Sequence, residues 1–295
     1  MDLVCVGDVM LDVRADAGAL ARGGDVHGRV VVQPGGTSAN AATWAAWSGA
    51  DAAVIGAIGD DVAGDLLHAA LAERGVDVSG IRGCDAPTGT MLVLHGSGER
   101  SMVADRGANA ALAPDDLPAA IEAGAVLVSG YLLLQPPTTG TALAAIGRAR
   151  AGIVAVEAAS WPLVEAFGAT AMLVAAADAG ATALLANERE ASALTGRGPV
   201  EACRALGARF PVVAVKRGAA GACLSVDGSL VEAPAEPVVE VDPTGAGDAF
   251  DGVLLASLAR GASPAEALRA ACHAGALVAA SASTWPTREP SEERP

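Results

Sequence analysis

Seven residues near the C-terminal end, Asp242-Pro243-Thr244-Gly245-Ala246-Gly247-Asp248, set two acids around three small residues in a spacing that suits an anion. Val238-Val239-Glu240-Val241 before them reads as a strand, Asp242-Pro243-Thr244 as a turn, and the stretch from Gly245 to about Arg260 as a helix. Small residues at a helix start leave backbone N–H groups uncovered, and those donors together with the helix dipole stabilise negative charge. Asp248 falls in the first helical turn, beside the place of that anion. A carboxylate there costs electrostatic energy unless it has a task, and accepting the proton of an attacking hydroxyl is one. The same residues would equally make a capped helix and a tight turn; spacing alone leaves both open.

Positioning such a centre needs a scaffold. Short apolar runs, Leu3–Gly7, Ala53–Ile58, Ala125–Ser129, Ile153–Glu157, Thr182–Asn187 and Pro211–Lys216, read as buried strands. Ala-rich helical stretches lie between them, among them Ser38–Ser48, Val62–Arg74, Thr138–Arg150 and Val200–Ala208. Strands alternating with helices predict an α/β fold with a mainly parallel central sheet and helices on both faces. Ligands of such sheets bind beyond the carboxyl ends of the strands, where Asp8, Glu157 and Asn187 fall. Val26–Gln33 and a hairpin, Thr90–His95 with Arg100–Ala104 around Gly96-Ser97-Gly98-Glu99, predict a small separate β-layer, either a lid or a bare edge sheet. The expected organisation is residues 1–13, 34–88 and 106–287 as the main unit, 14–33 and 89–105 as the small β lid, and 288–295 as a charged tail. Arg106, just after the hairpin, falls either in a segment that closes over a substrate or in a plain connecting loop.

The 295 residues carry 19 Lys and Arg against 34 Asp and Glu, a formal charge of −15, which repels phosphate backbones and anionic membranes. No nucleic-acid or membrane partner is expected. Five cysteines without a CxxC pair argue against a disulfide framework or structural zinc, and a reducing cytoplasm suits them. His27, His68, His95 and His273 are scattered without ligand spacing. There is no GxxxxGK[ST], and no strand–GxGxxG–helix near the start, so neither a P-loop NTPase nor a dehydrogenase is supported.

Asp242 to Phe250 resembles the C-terminal signature of the ribokinase-like carbohydrate kinases, the PfkB family, with Pro243 where Thr is more usual. Gly35-Gly36…Asn40, Gly56–Gly64, Gly7-Asp8…Asp12, Asn187–Glu190 and Lys216–Gly221 resemble further blocks of that family, in the family's order. The resemblance implies transfer of a phosphoryl group from ATP to a hydroxyl, with Asp248 as general base and Gly245, Ala246 and Gly247 as the anion hole. It implies substrate contacts at Asp12, Gly35, Gly36 and Asn40, and nucleotide contacts at Asn187, Lys216, Gly218, Gly221 and His273. Glu190 would organise Mg²⁺ through water. The family's cation loop is not matched at Ser281-Ala282-Ser283-Thr284, which speaks against K⁺, although Asp242 remains a candidate monovalent-cation ligand.

A sugar or sugar-like acceptor is the first expectation, and a nucleoside the alternative. For a phosphate-bearing acceptor, Arg14, Arg29, Arg100 and Arg106 are the candidate cations. A non-catalytic sugar or nucleotide sensor on the same fold is the rival from another class; Asp248 would be idle in it. By analogy, a lid pairing across a two-fold axis would give a homodimer.

Overall fold

The computed structural model describes residues 1–17, 23–96 and 99–286. The hairpin turn at Ser97-Gly98 and the tail 288–295 lie outside the described residues.

Nine strands form the main sheet, in the order Ser229–Ala233, Ala222–Val226, Val212–Lys216, Ala183–Asn187, Ile153–Glu157, Ala125–Val128, Leu3–Val6, Ala52–Gly59 and Asp77–Cys84. From Val212–Lys216 onward every pairing is parallel; the first two strands are antiparallel additions at one edge. Successive side chains of a strand point to opposite faces. Val4, Val6, Val126, Val128, Val154 and Val156 therefore join one buried cluster, while Leu3, Cys5, Leu127 and Ala155 join another across the sheet. Burial on both faces is why these runs are continuously apolar.

Parallel pairing has a direct consequence for the site. It brings Asp8, Ser129, Glu157, Asn187 and Lys216 to the same edge, because each ends or follows a strand that runs the same way.

A separate sheet of four strands, Arg29–Gly35, Met10–Asp16, Gly89–Gly96 and Glu99–Asp105, stands beside that edge. It begins at Met10, so Met10 to Val13 belong to the small sheet rather than to the main one. Its register puts Met10, Asp12 and Arg14 on one face with Met91, Val93, Met102 and Ala104. Val238–Val241 is not a strand. Val241 and Asp242 instead donate their amides to the carbonyl of Ala279, the last residue of the helix Pro264–Ala279.

Among the described residues no single helix is long and apolar enough to cross a membrane.

Candidate active site

A cleft of about 1240 Å³ opens between the small sheet and the carboxyl edge of the large one. At its floor lies the start of the helix Ala246–Ala259, which Gly245 enters with a φ of 84°, a left-handed conformation that costs glycine little. Asp248 is the third residue of that helix. The helix Thr37–Trp47 crosses it at Gly252, where an added Cβ would lie 2.1 Å from the carbonyl oxygen of Ala41. That contact, open only to glycine, sets Asn40 against Asp248, one turn before Gly252. Asn40 Nδ2 donates to Asp248 Oδ2 at 2.7 Å, and Asn40 Oδ1 accepts from Trp285 Nε1 at 2.7 Å. The indole thus fixes which end of the amide faces the acid.

Burial pushes the Asp248 carboxyl up to about 7; the Asn40 hydrogen bond and Lys216 oppose this, and Asp251 and Asp12 reinforce it. Such a value is near the optimum for a base working at neutral pH. Asp12 is buried, lines the cleft, and is pushed up to about 6 by burial, with Arg14 pulling the other way.

Of the expected anion-hole residues, Ala246 and Gly247 line the cleft. The Ala246 amide donates to the carbonyl of Pro243 at 3.1 Å. Gly245 faces Thr284, 3.2 Å from where its Cβ would be. Gly247 keeps the clearest approach: its nearest neighbour is Lys216, whose Nζ would be 3.6 Å from an added Cβ. Lys216 Nζ in turn pairs with Asp251 Oδ2 at 2.6 Å.

Gly35 is placed differently from its neighbour Gly36. It does not line the cleft but lies under the Asp12 carboxylate, whose atoms would be 2.5 Å from an added Cβ. Its service is to leave room for Asp12, while Gly36, with φ 95°, does line the cleft. Arg106 reaches the cleft already engaged, with Nη2 2.9 Å from Asp8 Oδ1 and Nη1 3.1 Å from Thr138 Oγ1. Arg14, a candidate phosphate contact, and Asp242, a candidate cation ligand, meet each other at 2.7 Å, and neither lines the cleft. The Arg100 side chain lies outside the described residues.

At the other end, Asn187 and Glu190 form a reciprocal capping box at the helix Glu188–Thr195. Glu190 Oε2 accepts from the Asn187 amide (2.8 Å) and Oε1 from Asn187 Nδ2 (2.6 Å), yet both residues line the cleft. Gly218 and Gly221, with φ of 55° and 85°, shape the turn below them. His273 stands beside the cleft lining rather than in it. The cleft-facing stripe of its helix is Cys272, Gly275, Ala276 and Ala279. His273 is one step off that stripe, half exposed, with Nδ1 2.8 Å from Glu236 and its ring near Trp47.

Three further residues belong to the candidate site by position. Glu157 reads in the sequence as a strand end without a role. Its Oε1 accepts from the Gly130 amide (3.0 Å) and Ser129 Oγ (3.2 Å), its Oε2 from the Ala159 amide (2.6 Å), and burial pushes its carboxyl up to about 8. Asp251, one helical turn after the base, was the signal available for the partner of Lys216. Trp285 had no local signal. Among the described residues no group of three or more His, Cys, Asp or Glu is placed to hold a metal directly.

A family model for pfkB family carbohydrate kinases matches residues 1–290. A fructokinase of Klebsiella pneumoniae is 33% identical over 270 residues, covering 86% of this chain and 83% of that protein. Among solved structures, an adenosine kinase from Sinorhizobium meliloti superposes with a TM-score of 0.83 at 22% identity, over 97% of this chain and 95% of its own. An aminoimidazole riboside kinase from Salmonella enterica, solved with aminoimidazole riboside and an ATP analogue, gives 0.78 at 24% identity, over 96% and 95%. The chain belongs to the pfkB family of carbohydrate kinases, and it is an ATP-dependent kinase with the ribokinase-like fold.

Proposed function

We propose that this chain transfers the γ-phosphoryl group of ATP to a hydroxyl of a sugar or nucleoside, with Asp248 as general base. The observation that carries this is the half-buried Asp248 carboxylate in the first turn of a helix whose Gly247 lines the same cleft, held by Asn40 at 2.7 Å. The acceptor lies between Asp12, Gly36, Asn40 and the inner face of the small sheet, which acts as the lid. ATP lies along Gly218, Gly221 and the Cys272–Ala279 stripe, its γ-phosphate toward Gly247 and Lys216. Mg²⁺, which keeps most of its waters and favours phosphate oxygens, would arrive with the nucleotide and meet Glu190 through water. There it would neutralise phosphate charge. Asp248 takes the hydroxyl proton, the Gly247 amide and Lys216 stabilise the charge on the transferred group, and the lid excludes water. An ATP-consumption screen over sugars, sugar acids, sugar phosphates and nucleosides tests this; no consumption with any of them would favour a sensor.

The base assignment also sets a pH profile. Asp248 must be ionised to act, and its carboxyl titrates at about 7. We expect kcat/KM to rise with pH up to a limb near that value and then level off. Asn40→Ala removes a hydrogen bond that lowers the carboxyl, so its limb should move to higher pH. An unmoved limb in that variant would separate it from Asp248.

The outer face of the lid supports a homodimer. Val32 and Val103, 55% and 60% exposed, lie in one row with Val13 and Leu92, and Val30, 64% exposed, lies on the same face beside Ala15. An apolar face of this kind marks an interaction surface. Sedimentation should give a dimer for the wild type and a monomer for Val32→Lys; a wild-type monomer at all concentrations rejects the lid interface.

A further inference from the structure

One side chain ties the lid to the turn that carries the anion site. Arg14 stands on the lid strand Met10–Asp16, two residues after Asp12 and on the same face. Its Nη1 donates to Asp242 Oδ2 at 2.7 Å and to the carbonyl of Ala282 at 3.1 Å. The other Asp242 oxygen accepts from the Thr244 amide at 2.9 Å, which shapes the turn leading into Gly245. The Arg14 and Asp242 side chains are only 11% and 13% exposed. The guanidinium therefore joins the two segments that meet behind the anion site, the 242–245 turn and the 281–284 loop.

A carboxylate oxygen and a main-chain carbonyl brought together in a buried place are the hard donors that a bare cation takes from a protein. Here a tethered cation stands between them. The charge has a purpose. Asp242 lies just before a helix start that must receive a phosphoryl group. Left unpaired in a buried position, its carboxylate would repel that group and loosen the turn. A guanidinium fixed to the chain supplies the neutralising charge in any salt.

We propose that Arg14 is a positioning residue that serves as the built-in cation of the anion-site turn, so that this protein needs no soluble monovalent cation. The catalytic consequence rests on the phosphoryl-transfer reading; the consequence for stability does not. The test compares KCl with choline chloride at equal ionic strength, reading both turnover and melting temperature. For the wild type neither should change. Arg14→Ala should lose roughly 10-fold or more in kcat in choline, as expected for a displaced catalytic turn, with KM for ATP little altered. K⁺ or methylguanidinium should restore part of that loss and raise its melting temperature, and Arg14→Lys should keep much of the wild-type rate. A wild-type rate or melting temperature that climbs when K⁺ replaces choline overturns the proposal, as does Arg14→Ala with full activity in choline. If Arg14→Ala does not fold, the wild-type comparison decides alone. If the wild type turns over no ATP with any acceptor, the phosphoryl-transfer reading falls, and the melting comparison still decides the role of Arg14.

Discussion

Asp248→Asn should cut kcat by at least ~10², the lower end of what a positioned base contributes, while leaving ATP binding and the melting temperature close to wild type. The expectation is specific because the change is nearly isosteric. The amide oxygen of the new side chain still accepts from Asn40 Nδ2, so the contact that pins helix Thr37–Trp47 to helix Ala246–Ala259 survives. What disappears is the capacity to take a proton. Burial of Asp248 carries a cost in the wild type, since desolvation raises its carboxyl to about 7. Removing the charge relieves that cost, so the variant should be no less stable at pH 8. Steady-state kinetics with the best acceptor, paired with nucleotide titration, checks the assignment; a variant within a few-fold of wild-type kcat would refute it.

Lys216→Met should destabilise the fold by about 3–5 kcal/mol, the usual result of stripping one partner from a buried ion pair. Lys216 and Asp251 meet at 2.6 Å with side chains only 16% and 3% exposed. Burial lowers the Lys216 pKa, but Asp251, Glu190 and Glu157 more than offset this and raise it, so the lysine stays charged. Burial already raises the Asp251 carboxyl to about 6 against the pull of Lys216. Without the lysine it rises further above its unfolded value. A carboxyl raised in the folded state stabilises it at low pH, and that stability falls away as pH climbs from the unfolded pKa through the folded one. The variant should therefore lose more stability at pH 8 than at pH 5, as read from urea midpoints. Asp251→Asn in the same background should recover most of the loss at pH 8. Equal losses at both pH values would mean that the lysine contributes packing rather than charge.

The parts of this molecule legible in the sequence are those with local causes. The strand runs showed themselves because a doubly covered parallel strand is apolar on both faces, and the polar residue that ends each run, such as Asn187 or Lys216, then had to fall at the ligand-binding edge. The 242–248 segment was legible because a helix start needs small residues to expose its amides. Phase was harder. His273 and Cys272 are neighbours in sequence, yet only Cys272 faces the cleft, and which side of that helix is inward depends on packing that no local pattern encodes. Gly35 and Gly36 are likewise adjacent, but one leaves space for Asp12 and the other lines the cleft. Least legible were pairings between distant segments. Arg14 with Asp242 and Asn40 with Trp285 arise only when the small sheet, the helix start and the last described loop converge.

The crossing at Gly252 and the strand Met10–Asp16 bear on how this protein could be redesigned. Asp12 and Arg14 share one strand and one face, so under the proposed roles the element that meets the acceptor also steadies the phosphoryl end through Asp242. Acceptor preference is therefore not a separable module. A chimera that imports a lid strand from a relative to change what is phosphorylated would also delete the guanidinium behind Asp242, unless the donor strand carries its own arginine two residues past the acid. Directed evolution of a new acceptor should then gather its changes on Gly89–Gly96 and Glu99–Asp105, the lid strands free of that second duty.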